Sequence, residues 1–394
     1  MANPVGTDGV LILGVDASNI RAGGGVTHLS QLLAAAEPLR AGFVQVKVWS
    51  GAATLEKLPQ RSWLHGVHVP MLDKGLPGRV IWQQMLLPAA LEKSHCTALF
   101  SPGGTAPARL VVPNIVMSQN MLPFESRECA RYGLLSGMHW RLRLLRMAQS
   151  RSMRRADGLI FLTHYAQHTM SRILGRDTHG TMVIPHGIEE RFFSQPKASA
   201  SMQDFSPARP FRLLYVSIVD MYKHQWQVAR AVGELRRKGL PLVVDFIGPA
   251  YPPALQRLQA TINAVDPRGA FLRYTGAMPF PELHKAYQNA DAFIFASSCE
   301  NLPNIVLEAM AAGLPIASSN RGPMPEVLGD AGIYFDPESV DAIIAALQSL
   351  YEQPGLRDTL AKRAYSKARE YSWRQCAQST FEFIADTIRS ESRV

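Results

Sequence analysis

The stretch Ala292–Pro315, AFIFASSCENLPNIVLEAMAAGLP, reads as strand, loop, helix and stop. The run Ala292–Ala296 is apolar on every residue and too short for a helix, which suits a strand buried on both faces of a parallel sheet. Pro303 is suited to a first helical position, and Gly313 followed by Pro315 ends the helix. Outward from this βα unit the same alternation continues in both directions. Towards the C-terminus, strands are expected at Pro315–Ser318 and Gly332–Phe335. Towards the N-terminus they are expected at Phe271–Tyr274, Leu242–Ile247 and Arg212–Ser217. Beyond Glu352 the chain reads as helical to Ile388, with short breaks and a turn near Tyr371-Ser372-Trp373.

The first half carries a second array of the same kind. Strands are expected at Val10–Ser18, Val44–Ser50, Val67–Leu72, Ala98–Ser101, Ile115–Ser118, Gly158–Thr163 and Met182–Pro185, with helices notably at Val26–Leu39 and Arg79–Lys93. Strands alternating with helices specify parallel sheets covered on both faces. Between the arrays, Ser194–Arg209 (SQPKASASMQDFSPAR) is rich in Ser, Ala and Pro without apolar period, and reads as a linker. The expected organisation is an α/β protein with an N-terminal Rossmann-like domain over 1–193 and a linker over 194–209. A C-terminal Rossmann-like domain follows over 210–375, and a final helix over 376–394 is expected to pack back on the first domain. Two doubly wound domains facing across a cleft would bind ligands where strand ends and helix N-termini converge.

At 394 residues the chain suits two such domains. No uninterrupted apolar run reaches the ~18 residues of a membrane span, and Met1–Gly9 lacks the basic start of a signal peptide. The four cysteines, Cys96, Cys129, Cys299 and Cys376, are scattered, which argues against a disulfide framework or a zinc site and fits a reducing cytoplasm. The formal charge of +9 invites polyanionic partners, though no nucleic-acid motif accompanies it and none is expected to bind. Much of the charge lies in His139–Arg155, HWRLRLLRMAQSRSMRR, which has no acid and is interleaved with Trp140, Leu142, Leu144, Leu145 and Met147. The plainer reading is a solvated helix whose apolar side packs on its own domain. The other is a basic amphipathic helix lying on a membrane surface.

Two segments carry chemistry. Gly23-Gly24-Gly25 follows the first strand and precedes a helix, so Gly24 and Gly25 permit close backbone approach while the helix start offers N–H groups to an anion such as a diphosphate. It is neither a Rossmann fingerprint nor a P-loop, and a plain tight turn would look the same. In the opening stretch, Glu300 sits in the loop and Glu308 inside an apolar helix. A carboxylate there needs a partner, because burying it alone costs several kcal/mol. A ribose diol is one such partner, and a salt bridge or simple exposure is the alternative. The free N–H groups near Asn304 and Ile305 could meet a phosphate.

On these residues the chain resembles the retaining glycosyltransferases of family 4, which have the GT-B fold. Glu300 and Glu308 keep the family's spacing, and Leu307–Pro315, Arg321–Glu326, Gly329–Gly332 and Asp336-Pro337 follow its pattern. Gly24-Gly25 and Ile184-Pro185-His186-Gly187-Ile188 fit more loosely. The resemblance implies that Glu308 holds the ribose hydroxyls of a donor nucleotide sugar. It implies further that Glu300 contacts the transferred sugar, and that the stretch Asn301, Leu302, Pro303 and Asn304 frames its hydroxyls or diphosphate with backbone N–H groups. Lys223 matches the family's phosphate-binding lysine; without a metal, a lysine and helix dipoles must neutralise the leaving diphosphate. The chain departs from the family where Ile218 replaces an arginine, leaving Arg21 as a candidate for that contact. It departs again where Gln119 or Asn120 replaces a histidine near the reacting sugar, Asn120 being the expected catalytic stand-in. His186 is read equally as a turn residue or a ligand contact. His164 and His168 lack a third ligand, and no Asp-x-Asp pair offers a metal site.

The expected activity is therefore a retaining, metal-free transfer of a hexose, mannose-like by preference, from a GDP- or UDP-linked donor. The acceptor would be a saccharide or lipid-linked saccharide in surface polysaccharide synthesis. The chain would use no cofactor and would work in the cytoplasm, at the inner face of the membrane if the acceptor is lipid-linked. Nothing in the sequence fixes an oligomeric state. A GT-B sugar-nucleotide epimerase and a catalytically silent GT-B partner protein stay open as alternatives, since fold alone does not fix function.

Overall fold

The computed structural model describes residues 10–21, 23–175 and 177–391. Its described residues form two parallel sheets. The first has strands β1 (Leu11–Asp16), β2 (Phe43–Ser50), β3 (Leu64–His68), β4 (Ala98–Ser101), β5 (Asn114–Met117), β6 (Gly158–Phe161) and β7 (Thr181–Val183), ordered β3-β2-β1-β4-β5-β6-β7. The second has β8 (Phe211–Val216), β9 (Leu242–Ile247), β10 (Leu272–Tyr274), β11 (Ala292–Phe295), β12 (Ile316–Ser319) and β13 (Gly332–Phe335), ordered β10-β9-β8-β11-β12-β13. Every registered pair is parallel. In each sheet the winding reverses beside its first strand, between β1 and β4 and between β8 and β11. Such a reversal opens a crevice at the C-terminal strand ends.

All thirteen expected strands are present, one of them displaced. The third was expected at 67–72 and lies at Leu64–His68, because Pro70 cannot donate to a ladder and instead opens a 3-10 turn over Pro70–Leu72. The helix expected from Arg79 starts at Leu76 and widens to a π-helical turn over Trp82–Leu86 before running to Lys93. Pro88 supplies no N–H to the turn before it, which is a known setting for such widening.

The chain divides into two compact units. One comprises the described residues up to Phe124, Leu135–Gly187 and the segment from Ser372; the other comprises Glu125–Leu134 and Ile188–Tyr371. In the first unit, α1 (Gly24–Ala35), α2 (Gly137–Arg155) and the terminal helix α6 (Trp373–Glu391) cover the sheet. Phe381 of α6 meets Phe43 edge to face at 5.8 Å. Gly187 leaves no room for a side chain, since a Cβ there would lie 2.1 Å from the Trp373 backbone nitrogen.

In the second unit the covering helices include α3 (Gln225–Arg237), α4 (Asn304–Ala311) and α5 (Pro354–Ala368). The stretch 194–209, which composition marks as a linker, packs on this unit. Ser194 N donates to Ala311 O at 2.9 Å and Ser199 N to Asp358 Oδ1 at 2.8 Å. The buried guanidinium of Arg357 donates to Leu350 O, to Tyr351 O at 2.7 Å and to Ala200 O. The backbone of 194–209 is thus paired by groups 117 to 159 positions further on, which no local composition can reveal.

Candidate functional site

The crevice of the second sheet gathers the charged residues singled out from sequence. The loop after β8 ends in Lys223 and the loop after β11 carries Glu300, and these two strands are hydrogen-bonded neighbours. One buried phenol holds both loops: the Tyr215 hydroxyl donates to Lys223 O and accepts from Ala296 N at 3.2 Å. Lys223 Nζ forms an ion pair with Glu300 Oε1. It also lies 4.9 Å from the Phe295 ring and 5.0 Å from the Tyr222 ring, where the π faces further stabilise a cation removed from water. Lys223 is only 4% exposed. A pair this buried is costly to break from one side, because the remaining charge has no water to replace its partner.

His224 follows in the left-handed region at φ 51°, at the position just before the first turn of α3. Burial lowers its pKa to about 4, so the ring is neutral near pH 7. Its Nε2 lies 3.0 Å from Ser298 Oγ, which in turn lies 2.7 Å from Glu128 Oε2. A hydroxyl that donates to the carboxylate accepts from the ring, which places the imidazole proton on Nε2. Arg131 extends the chain of charges, donating from Nε to Glu128 at 2.6 Å and from Nη2 to Glu338 at 2.7 Å. Tyr132 donates to Asp220 Oδ1 at 2.8 Å, and burial raises the pKa of Asp220. Sequence reading missed this group. Glu128 and Arg131 belong to the first half of the chain but to the second unit, and their only local signal is an i,i+3 charge pair.

Beyond Glu300 the chain passes Asn301 and Leu302, both buried, and enters α4. Pro303 is the residue before the helix and not its first turn, so α4 begins at Asn304. Glu308 lies one turn in and is 9% exposed. Tyr287, absent from the sequence reading, donates to Glu308 Oε2 at 2.8 Å. Burial raises the Glu308 pKa to about 8, against the lowering effect of the Tyr287 bond. The helix stops at Gly313, whose φ is +67° and whose Cβ would meet Pro196 and Ser194 at 2.8 Å.

The other predicted residues lie in the first unit. Gly24 opens α1, with nothing within 4 Å of a Cβ placed there, and a Cβ on Gly25 would be 3.7 Å from Gln119 Oε1. Gln119 is turned inward, with Nε2 3.1 Å from His28 Nδ1. Asn120 is exposed, and its Oδ1 accepts from Leu122 N at 3.0 Å, leaving the amide NH₂ as the outward donor. His186 is 4% exposed and stacks on His28 at 4.4 Å and Trp373 at 5.6 Å, a core position. No group of three or more His, Cys, Asp and Glu residues that could hold a metal occurs among the described residues.

Two parallel doubly wound sheets of 7 and 6 strands define the GT-B class of glycosyltransferase folds. Sucrose-phosphate synthase from Thermosynechococcus elongatus superposes on it with a TM-score of 0.73 at 17% identity, covering 94% of this chain and 97% of that one. Residues 200–367 match the family model of glycosyl transferases group 1. The O-antigen chain mannosyltransferase B of Escherichia coli is 35% identical over 113 residues, 29% of this chain and 30% of that protein. The GDP-mannose-dependent alpha-(1-6)-phosphatidylinositol monomannoside mannosyltransferase of Mycolicibacterium smegmatis is 28% identical over 214 residues, 50% of this chain and 54% of that protein. The chain thus spans about a third to a half of the length of these curated relatives.

Proposed function

We propose that this protein is a retaining glycosyltransferase that moves a hexose, mannose by preference, from a GDP- or UDP-linked donor without a metal ion. The observation that carries the proposal is the convergence of Lys223, Glu300 and the α4 start on one crevice, with Glu308 one turn further along. Lys223 and Glu300 neutralise one another. A donor diphosphate would take the lysine as its counter-charge and free Glu300 to accept hydrogen bonds from the sugar hydroxyls. The N–H groups at the start of α4 add a positive dipole end. Together they supply the charge stabilisation that a leaving diphosphate needs. Glu308 would take the ribose diol, and in the first unit Gly24, Gly25 and Asn120 are the residues that the family resemblance assigns to ligand contact. The names of the two mannosyltransferase relatives support mannose and, in one case, GDP. The acceptor would be a saccharide or lipid-linked saccharide of a surface polysaccharide, in which case the chain works at a membrane surface.

A thermal-shift panel of UDP, GDP and ADP with their sugars, run in EDTA, tests this reading. One base should raise the melting temperature selectively, with GDP expected. The Lys223→Met/Glu300→Gln double variant, which removes the pair without stranding either charge, should fold and lose that shift. Absence of a shift with every nucleotide would defeat the proposal. Transfer activity that needs an added divalent ion would defeat its metal-free part.

A further inference from the structure

The first unit exposes large apolar side chains on two neighbouring elements. In α2 the buried positions are His139, Leu142, Gln149, Ser150, Ser152 and Met153, whereas Trp140, Leu144 and Met147 are 55%, 62% and 66% exposed. At 3.6 residues per turn these three fall within about 60° of helix arc, a single stripe facing outward. The apolar residues of this helix are therefore divided between its two faces, and the outward stripe stays exposed, with Arg143 of the same helix 5.6 Å from the Trp140 ring. The second element is the segment 76–86, where Leu76, Val80, Ile81, Met85 and Leu86 are each 44% or more exposed. The two are joined by the strap after β4. Ala108 N donates to Gln84 Oε1 at 3.0 Å, and Arg155 Nη1 donates to Ala108 O at 3.1 Å. On the inner side of the same strap, Thr105 O accepts from Gln83 and Ala106 N donates to Ser152.

The charge on this face has one sign. Arg141, Arg143, Arg151, Arg154 and Arg155 surround the α2 stripe and are all exposed, and α2 carries no acid. No ion pair involves any of the five among the described residues. Across the strap Arg79 is near enough to Arg21 and Arg141 for their charges to depress its pKa, after burial. Arg154 and Arg155 donate to the carbonyls of Leu174 and Ala108, which carry no net charge, so guanidiniums without a counter-charge repel one another and the arrangement favours a polyanionic partner. A tryptophan at the edge of an apolar stripe, ringed by arginines, is the pattern of a helix lying in a lipid headgroup layer.

We propose that α2 and the segment 76–86 together form a docking face for an anionic lipid bilayer. Trp140, Leu144, Met147 and Met85 enter the headgroup–acyl boundary and the arginines meet lipid phosphates. No helix among the described residues is long and apolar enough to cross a membrane, so the contact is peripheral. It gives the lipid-linked acceptor of the preceding section a place and a face, and it deepens that reading.

The test is co-sedimentation of the full chain with phosphatidylcholine vesicles and with equimolar phosphatidylcholine–phosphatidylglycerol vesicles. Binding is expected only to the anionic vesicles and should weaken as salt rises. Arg141→Gln/Arg143→Gln/Arg151→Gln should lower partitioning at least ~tenfold, since each arginine near such a surface contributes about a factor of five. Leu144→Gln/Met147→Gln and Met85→Gln should lower it as well. The equally charge-reduced Arg237→Gln/Lys238→Gln/Arg268→Gln, in the second unit, should bind as the parent does. All these positions are exposed, so melting temperatures should not move. Equal binding to both vesicle types, or equal loss in the control, overturns the proposal. So does concentration-dependent self-association of the free chain that the α2 substitutions abolish, which would give the face to a second copy. Because binding is read without turnover, its failure is distinguishable from a failure of the glycosyltransferase reading.

Discussion

Glu308 is a carboxylate in an apolar helix, and the hydrogen bond donated by Tyr287 does not offset its burial. With a pKa near 8 it is mostly protonated at pH 7. A ribose diol donates two hydrogen bonds and so favours the ionised form, and a donor nucleotide that binds there must expel a proton. Affinity for the nucleotide should therefore climb between pH 6 and 8, by at most about tenfold per unit, and level off above 8. Stability of the unliganded protein should move in the opposite sense. The folded-state value exceeds the ordinary 4.5, so this group's contribution is fully present below 4.5 and is lost as pH rises through 8. Titration calorimetry at pH 7 in phosphate and in Tris should show close to one proton released per nucleotide, and Glu308→Gln should abolish the release. Equal heats in the two buffers would take Glu308 out of the ribose site.

At the scale of elements, most strands were legible because they are short apolar runs closed by turn residues, and such a run has few alternatives in a buried parallel sheet; β3, LHGVH and largely exposed, is the one that was displaced. Glu308 was legible for a related reason, as a carboxylate in an apolar helix that needs a partner, and Glu300 as a carboxylate in the loop at a strand end, whereas Lys223 was legible only through the family resemblance. Their own protein partners were not. Tyr215 and Tyr287 look in sequence like ordinary core aromatics, and only the fold brings their hydroxyls to Lys223 O and Glu308. The stretch 194–209 shows the same limit. Its Ser, Ala and Pro content suggests a free linker, yet Arg357 of α5 is 2% exposed and its guanidinium donates to Ala200 O. Arg357→Met would keep the stacking on Phe211, now 5.4 Å from the guanidinium carbon, but would leave three carbonyls without donors. Urea unfolding should show a loss of about 2–4 kcal/mol, with nucleotide affinity at low temperature unchanged. A loss under 0.5 kcal/mol would mean that water replaces the guanidinium and that the stretch is a linker in substance.

At the scale of the whole molecule, the two halves of the sequence are not the two compact units. Glu125–Leu134 leaves the first array to join the second unit, and it supplies groups that the second unit's own sequence lacks. Tyr132 is a donor to Asp220, Glu128 an acceptor for Ser298, and Arg131 a counter-charge for Glu338. Asp220 and Ser298 lie in the two loops that present Lys223 and Glu300. A fragment of residues 188–371 would therefore keep its sheet but lose three partners to buried or half-buried polar groups, each worth about 1 kcal/mol or more. Its melting temperature should lie ~5–10 °C below that of the same fragment with residues 125–134 restored through a flexible tether. The tethered form should also regain nucleotide binding, because the restored contacts fix the loops and not the sheet. Identical melting curves and affinities for the two fragments would show that the loops hold their shape unaided, and that the excursion of 125–134 only covers them.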